Sequence, residues 1–143
     1  MILAAAMAAS VVTGFAVEGS QATLYERLGG MPAIRAVLED YTNRILADGR
    51  VNPWFAQAAA DPQRATAYKS KLAEFVCQST GGPCHYTGPD LLMVHQGRGV
   101  TAEAFAALVE DLVAALDRFH VGEKEKAGLL AILGPMKAAV VQR

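Results

Sequence analysis

Apolar residues in this chain recur three and four positions apart, in runs cut short by glycine and proline, and no stretch shows the period of two that a half-buried strand needs. That pattern restricts the chain to helices joined at glycine- and proline-bearing corners. Ile34, Val37, Leu38, Tyr41, Ile45 and Leu46 make one stripe over residues 32–47, with Pro32 suited to a first turn and Asp48-Gly49 ending the run. Upstream, Thr23-Leu24-Tyr25-Glu26-Arg27-Leu28 makes one or two turns before Gly29-Gly30, a pair that accepts the left-handed backbone of helix ends. Asn52-Pro53-Trp54-Phe55 is a bulky apolar corner, and Asp61 is placed to cap a helix over 62–78 that Gly81-Gly82-Pro83 stops. A structured loop over 81–89 follows, then a short helix over 91–96 before Gly97 and Gly99. Thr101 caps a long helix to Phe119, with Phe105, Leu108, Val109, Leu112 and Leu116 on one face. A last helix over 123–141 is kinked or divided by Gly134-Pro135. The fold class is all-α.

The 143 residues suffice for one core and are too few for two, and 52% hydrophobic against 19% charged residues describes a packed domain. A net charge of −1, with no cluster of Lys and Arg interleaved with aromatics, excludes a nucleic-acid partner.

Met1 to Val17 carries no charged residue and has the length of a secretory apolar core followed by small residues. Residues 1–21 therefore read as a leader, set apart from a domain over 22–143, and an exported, periplasmic protein without membrane attachment after cleavage is expected. The segment lacks a basic start, so an ordinary apolar helix in a cytoplasmic protein stays open, and it is marginal for an uncleaved anchor. Cys77 and Cys84, the two cysteines, are close enough in sequence to bond in an oxidising compartment; unrelated thiols are the alternative.

Three motifs in order, Leu24-Tyr25-Glu26-Arg27-Leu28-Gly29-Gly30, then Gly81-Gly82-Pro83 with Tyr86-Thr87-Gly88, then His95-Gln96-Gly97-Arg98-Gly99-Val100-Thr101, resemble a group I truncated haemoglobin from about residue 22 onward. The resemblance implies a two-over-two helical sandwich holding haem b, with His95 as the proximal iron ligand. The residues by themselves allow that role: a histidine on a short segment bounded by glycines can offer a neutral ring nitrogen to a buried metal, while a structural histidine is the plainer reading of a lone one. His85 follows Cys84, but Gly81 stands where the haem-attachment motif C-x-x-C-H needs its first cysteine, and a zinc site of Cys77, Cys84 and His85 lacks a fourth ligand. His120, at a helix end, reads as surface.

On the opposite side of the iron the sequence departs from the family. The place of the usual oxygen-binding tyrosine falls on Thr42, and Tyr41 occupies the neighbouring position; turned about 100° from it, Tyr41 can substitute only if the helix is rotated. Tyr68, Leu72, Phe75 and Val76 form the stripe that faces the haem, with Leu72 where relatives often carry glutamine and Tyr68 as the polar group. Lys71 stands where some relatives carry an iron-closing side chain. It is expected either to pair with a haem propionate or, after losing its proton, to ligate the iron. Lys69 is turned away and solvated. Trp54 and Phe55 are expected against a haem edge, Phe55 the closer, while Tyr86 and Arg98 are propionate candidates, Arg98 being equally readable as an exposed charge.

The resemblance implies a gas-binding haem protein that takes oxygen or nitric oxide, with nitric oxide turnover dependent on an external reductase or electron donor. The rival reading is an electron-transfer or redox-sensing protein with His95 and Lys71 both on the iron. An interaction module without haem is the third.

Overall fold

The structure, a computed structural model, describes residues 21–142. The leader expected over residues 1–21 lies, except for Gln21, outside those described. Eight α-helices follow in order: α1 Leu24–Arg27, α2 Gly30–Ala47, α3 Ala56–Ala60, α4 Pro62–Ser79, α5 Leu91–His95, α6 Ala102–Arg118, α7 Glu123–Leu133 and α8 Lys137–Val140, with 3₁₀ turns at Asn52–Phe55 and Gly134–Met136. No strand occurs among the described residues, and no helix there is long and apolar enough to cross a membrane.

Capping decides where these helices begin. Thr23 and Glu26 close a reciprocal capping box on α1, and Asp61 and Thr101 accept the N–H groups of Gln63 and Ala104 to start α4 and α6. α2 begins two residues before the expected Pro32 because its first turn is satisfied from outside: the Met31 N–H donates to the Tyr25 hydroxyl at 3.0 Å. That approach needs the left-handed Gly29 and Gly30, at φ 102° and 72°. Gly134-Pro135 divides the last helix, as its missing N–H requires, through a 3₁₀ turn between α7 and α8.

α2 is the central element, packed on both α4 and α6; α5 rests on α8, and α1 touches α2 and α7. The face of α6 turned inward carries Ala104, Ala107 and Ala115, all fully buried, so the helices approach closely. Polar ties reinforce the α2–α6 contact. Asp40, buried on α2, accepts from Arg44 at 2.6 Å and from Arg118 at the far end of α6. The Arg44 hydrogen bond, with Arg118 adding to it against the cost of burial, keeps the Asp40 carboxyl below the usual carboxylate range. Lys69, expected in solvent, instead reaches Glu39 at 2.7 Å and ties α4 to α2.

The Cys77–Cys84 disulfide is formed, with the two Cα atoms 5.7 Å apart, and joins the end of α4 to the following loop. Closing a loop of about eight residues contributes about 2.5 kcal/mol on the chain-entropy view.

At the other end of α2 the Asp48 carboxylate pairs with Arg50 at 2.8 Å and stands beside Asp111 of α6. One oxygen of Asp111 is buried without a hydrogen-bond partner among the described residues. Burial, with the Asp48 carboxyl adding, raises the Asp111 pKa to about 6. Asp111 holds its proton more tightly folded than unfolded, so its contribution is present in full below about pH 4 and is lost as the pH rises through 6. Asp111→Asn should flatten that loss, by on the order of 1 kcal/mol after solvent screening, in urea midpoints compared between pH 4.5 and 7.5.

Candidate functional site

Between α2, α4, α5 and α6 lies a cavity of about 930 Å³, at the upper end of the roughly 300–1,000 Å³ typical of small-molecule and cofactor sites. Its walls are mostly apolar, including Val37, Leu38, Leu72, Phe75, Val76 and Leu112.

His95, last residue of α5, is in the wall. Its Nδ1 lies 2.7 Å from the Leu91 carbonyl one turn back. A carbonyl can only accept, so Nδ1 carries a proton, and in the neutral ring that leaves the lone pair on Nε2, the tautomer a metal requires. The α5 helix is capped by Asp90, whose carboxylate accepts from the Met93 N–H at 3.1 Å, and is stopped at once by Gly97, φ 77°. That brevity fixes the ring's position at a helix end.

Across the cavity, Tyr41 and Tyr68 converge. Tyr41 is a wall residue and is buried, whereas Thr42 is not in the wall: its hydroxyl donates to the Leu38 carbonyl of its own helix at 2.7 Å. Thr42 therefore leaves the set of cavity residues, because the step of about 100° between neighbours turns one inward and the other back along α2. Tyr68 is held edge-on by Phe55, ring centres 5.3 Å apart at 71°, and the Phe55 corner is itself pinned by Trp54, whose indole N–H donates to the Arg98 carbonyl at 2.9 Å. Among the described residues neither tyrosine hydroxyl has a hydrogen-bond partner. Burial pushes both phenols well above their usual pKa, Tyr68 and Asp111 adding to the effect at Tyr41, so each stays a neutral donor.

The rim is basic. Lys71 lines the cavity, but its half-exposed amine donates to the Thr87 hydroxyl and lies 3.6 Å from Glu74. Glu74 also accepts the Thr87 N–H at 3.1 Å and its hydroxyl at 2.8 Å, and these bonds, with Lys71, hold its carboxyl below the usual range. Tyr86 lies in the wall, edge-on to Phe75 at 5.4 Å and donating its hydroxyl to the Pro89 carbonyl at 2.9 Å. Arg98 lines the cavity and is exposed, its guanidinium in no ion pair among the described residues. Arg64 joins this rim unforeseen, although it lies one helical turn before Tyr68 and so on the same face of α4. His120 and His85 are exposed and outside the wall. The Glu74 half of the clasp on Lys71 is a pair three residues apart on α4, but the Thr87 half had no local signal, since 16 positions separate it from Lys71.

A large apolar cavity, one histidine with a metal-competent tautomer, two neutral hydroxyl donors opposite and cations at the mouth together fit an iron porphyrin with its propionates outward. The family model described as bacterial-like globin matches residues 23–142. A group 1 truncated haemoglobin of Mycolicibacterium paratuberculosis is 32% identical over 119 residues, 83% of this chain and 84% of that one. This chain belongs to the bacterial-like globins, among the group 1 truncated haemoglobins. The group 1 protein of Synechocystis is likewise 32% identical, over 78% of this chain and 90% of its own. The Tetrahymena pyriformis truncated haemoglobin in its Fe(III) form superposes with a TM-score of 0.76 at 26% identity, over 85% of this chain and all of that one. A Synechococcus 2/2 haemoglobin in the cyanomet state, with covalently attached haem, gives 0.76 at 29% over the same shares. The all-helical arrangement is thus the two-over-two globin sandwich, and membership implies haem-based binding of diatomic gases such as oxygen.

The cavity phenols give a direct test of its geometry. In an alkaline titration of this globin followed by phenolate absorbance, Tyr41 and Tyr68 should ionise only as the fold is lost. Tyr41→Phe and Tyr68→Phe should then leave the earlier part of the curve unchanged; an early component lost in either variant would place that ring outside the cavity.

Proposed function

We propose that this globin holds haem b through His95 and binds oxygen or nitric oxide on the face opposite, with Tyr41 and Tyr68 as hydrogen-bond donors to the bound gas. The observation that carries the reading is the pairing of one histidine, its Nδ1 proton spent on Leu91, with two unpartnered phenols across a single apolar cavity. Haem, when bound, would supply the iron site for the gas; dioxygen would be the oxidant and oxygen source for turning nitric oxide to nitrate, and an external electron donor would return the iron to its ferrous form. His95 anchors, Leu72, Phe75 and Val76 exclude water, and the tyrosines slow escape of a polar ligand. Arg98, with Arg64, pairs with the propionates; Tyr86 backs the wall beside them.

Lys71 stays at the mouth in this reading. To reach the iron it would have to leave Thr87 and Glu74 and shed a proton, two costs that the rival His95/Lys71 arrangement must meet. The apolar stretch from Met1 to Val17 and the formed disulfide support export to an oxidising compartment.

His95→Leu should abolish stable haem retention, read as loss of the Soret band after gel filtration; retention at wild-type strength would overturn the ligand assignment. Tyr68→Phe and Tyr41→Phe should each speed oxygen dissociation about tenfold, the worth of one hydrogen bond of about 1.4 kcal/mol. The ferrous protein should be five-coordinate. A low-spin ferrous spectrum that reverts in Lys71→Ala would establish the rival reading instead.

A further inference from the structure

We propose that the Cys77–Cys84 disulfide is a redox-addressed clamp on the cavity mouth: oxidised, it holds the 81–90 loop on α4 and keeps the cofactor in; reduced, it lets the loop lift and the cofactor leave. The part concerning the cofactor rests on the haem reading above; the part concerning the loop does not.

Three observations carry it. The loop is a wall of the cavity, through Tyr86 and Pro89. Gly81 and Gly82 stay tied to the end of α4 by backbone bonds to the Gln78 and Cys77 carbonyls. Apart from the disulfide and the edge-on contact of Tyr86 with Phe75, however, residues 84–90 are held to α4 by hydrogen bonds exposed to water: Tyr86 N–H to Gln78 at 2.7 Å, Thr87 to Glu74, and Lys71 to Thr87. Such bonds compete with solvent and hold a segment weakly. The third is that the two sulfurs differ in access. Cys77 is fully buried on α4, and a Cβ at Gly82 would stand 2.6 Å from its Sγ, so the loop backbone closes over that atom. Cys84, in the loop itself, is half-buried.

A dithiol reductant therefore attacks Cys84. One thiolate of the reductant bonds to the Cys84 Sγ, the S–S bond breaks, and Cys77 leaves as a thiolate that takes up a proton. The reductant's second thiol then displaces Cys84, which is protonated in turn, and the reductant departs as its own disulfide. Two electrons and two protons pass to the protein. Lys71 then loses its Thr87 partner, which travels with the loop, and keeps only Glu74 on its own helix.

The test compares the oxidised full chain, the chain reduced with dithiothreitol, and Cys84→Ser, with free thiols counted by alkylation and mass. Backbone hydrogen exchange is followed without haem and with it, and haem transfer to excess apomyoglobin is timed. Amides of residues 84–90 should exchange at least tenfold faster in the reduced chain and in Cys84→Ser, with α6 unchanged, and haem should transfer about tenfold faster. Unchanged loop exchange with two free thiols confirmed overturns the clamp. Equal loosening of α6 makes the disulfide a staple of the whole fold and overturns it too, and faster loop exchange with unaltered haem transfer overturns its hold on the cofactor. A chain that takes up no haem sinks the haem reading, while exchange without haem still judges the loop.

Discussion

Most of what would be the core of this domain faces a cavity instead of itself. Ile34, Val37, Leu38, Val76, Val100, Ala104, Leu112, Leu116 and Val140 are buried, yet each also lines the space of about 930 Å³. Held dry and empty, a space of that size would cost more than the whole stability of an ordinary domain, so an apolar occupant would stabilise the fold as well as serve it. Everything else follows from shaping the walls: α2 packed on α4 and α6, the Trp54 corner bracing one side, and the clasped 81–90 loop closing another.

The two faces of the cavity are built by different means. On the His95 side, backbone geometry suffices: one turn of helix, an Asp90 cap, a left-handed glycine and a carbonyl to hold Nδ1. On the opposite side the polar groups are presented by packing, Tyr68 leaning on Phe55 and Tyr41 fixed by the rotation of α2. The two phenols are neutral donors in the wall, while Thr42 and Leu72 hold the places where the family resemblance sets a tyrosine and a glutamine. Lys71 is engaged at the mouth by the loop that the disulfide anchors.

How much of this was written in the sequence varies with the range of the forces involved. Helix ends were legible because caps act within three residues: Asp61, Thr101 and Gly134-Pro135 all bound elements where expected. The α2 start was not, since the hydroxyl that satisfies it comes from Tyr25 on another helix. On α4 the stripe through Tyr68, Leu72, Phe75 and Val76 was readable from period alone, and Arg64 belonged to it one turn earlier. The pairings of Lys69 with Glu39 and of Lys71 with Thr87 were not, because nothing local links those positions.

The sequence by itself determined the all-α class, the corners, the histidine on its glycine-bounded turn and the cysteine pair, since each depends on backbone preference or on neighbours a few residues away. Only the tertiary structure decided between Tyr41 and Thr42, which sit one residue and about 100° apart. It also decided whether Lys71 stands inside the cavity or at its mouth. Both choices turn on how one helix is rotated and what a distant loop offers it, and those are set by the packing of the whole chain.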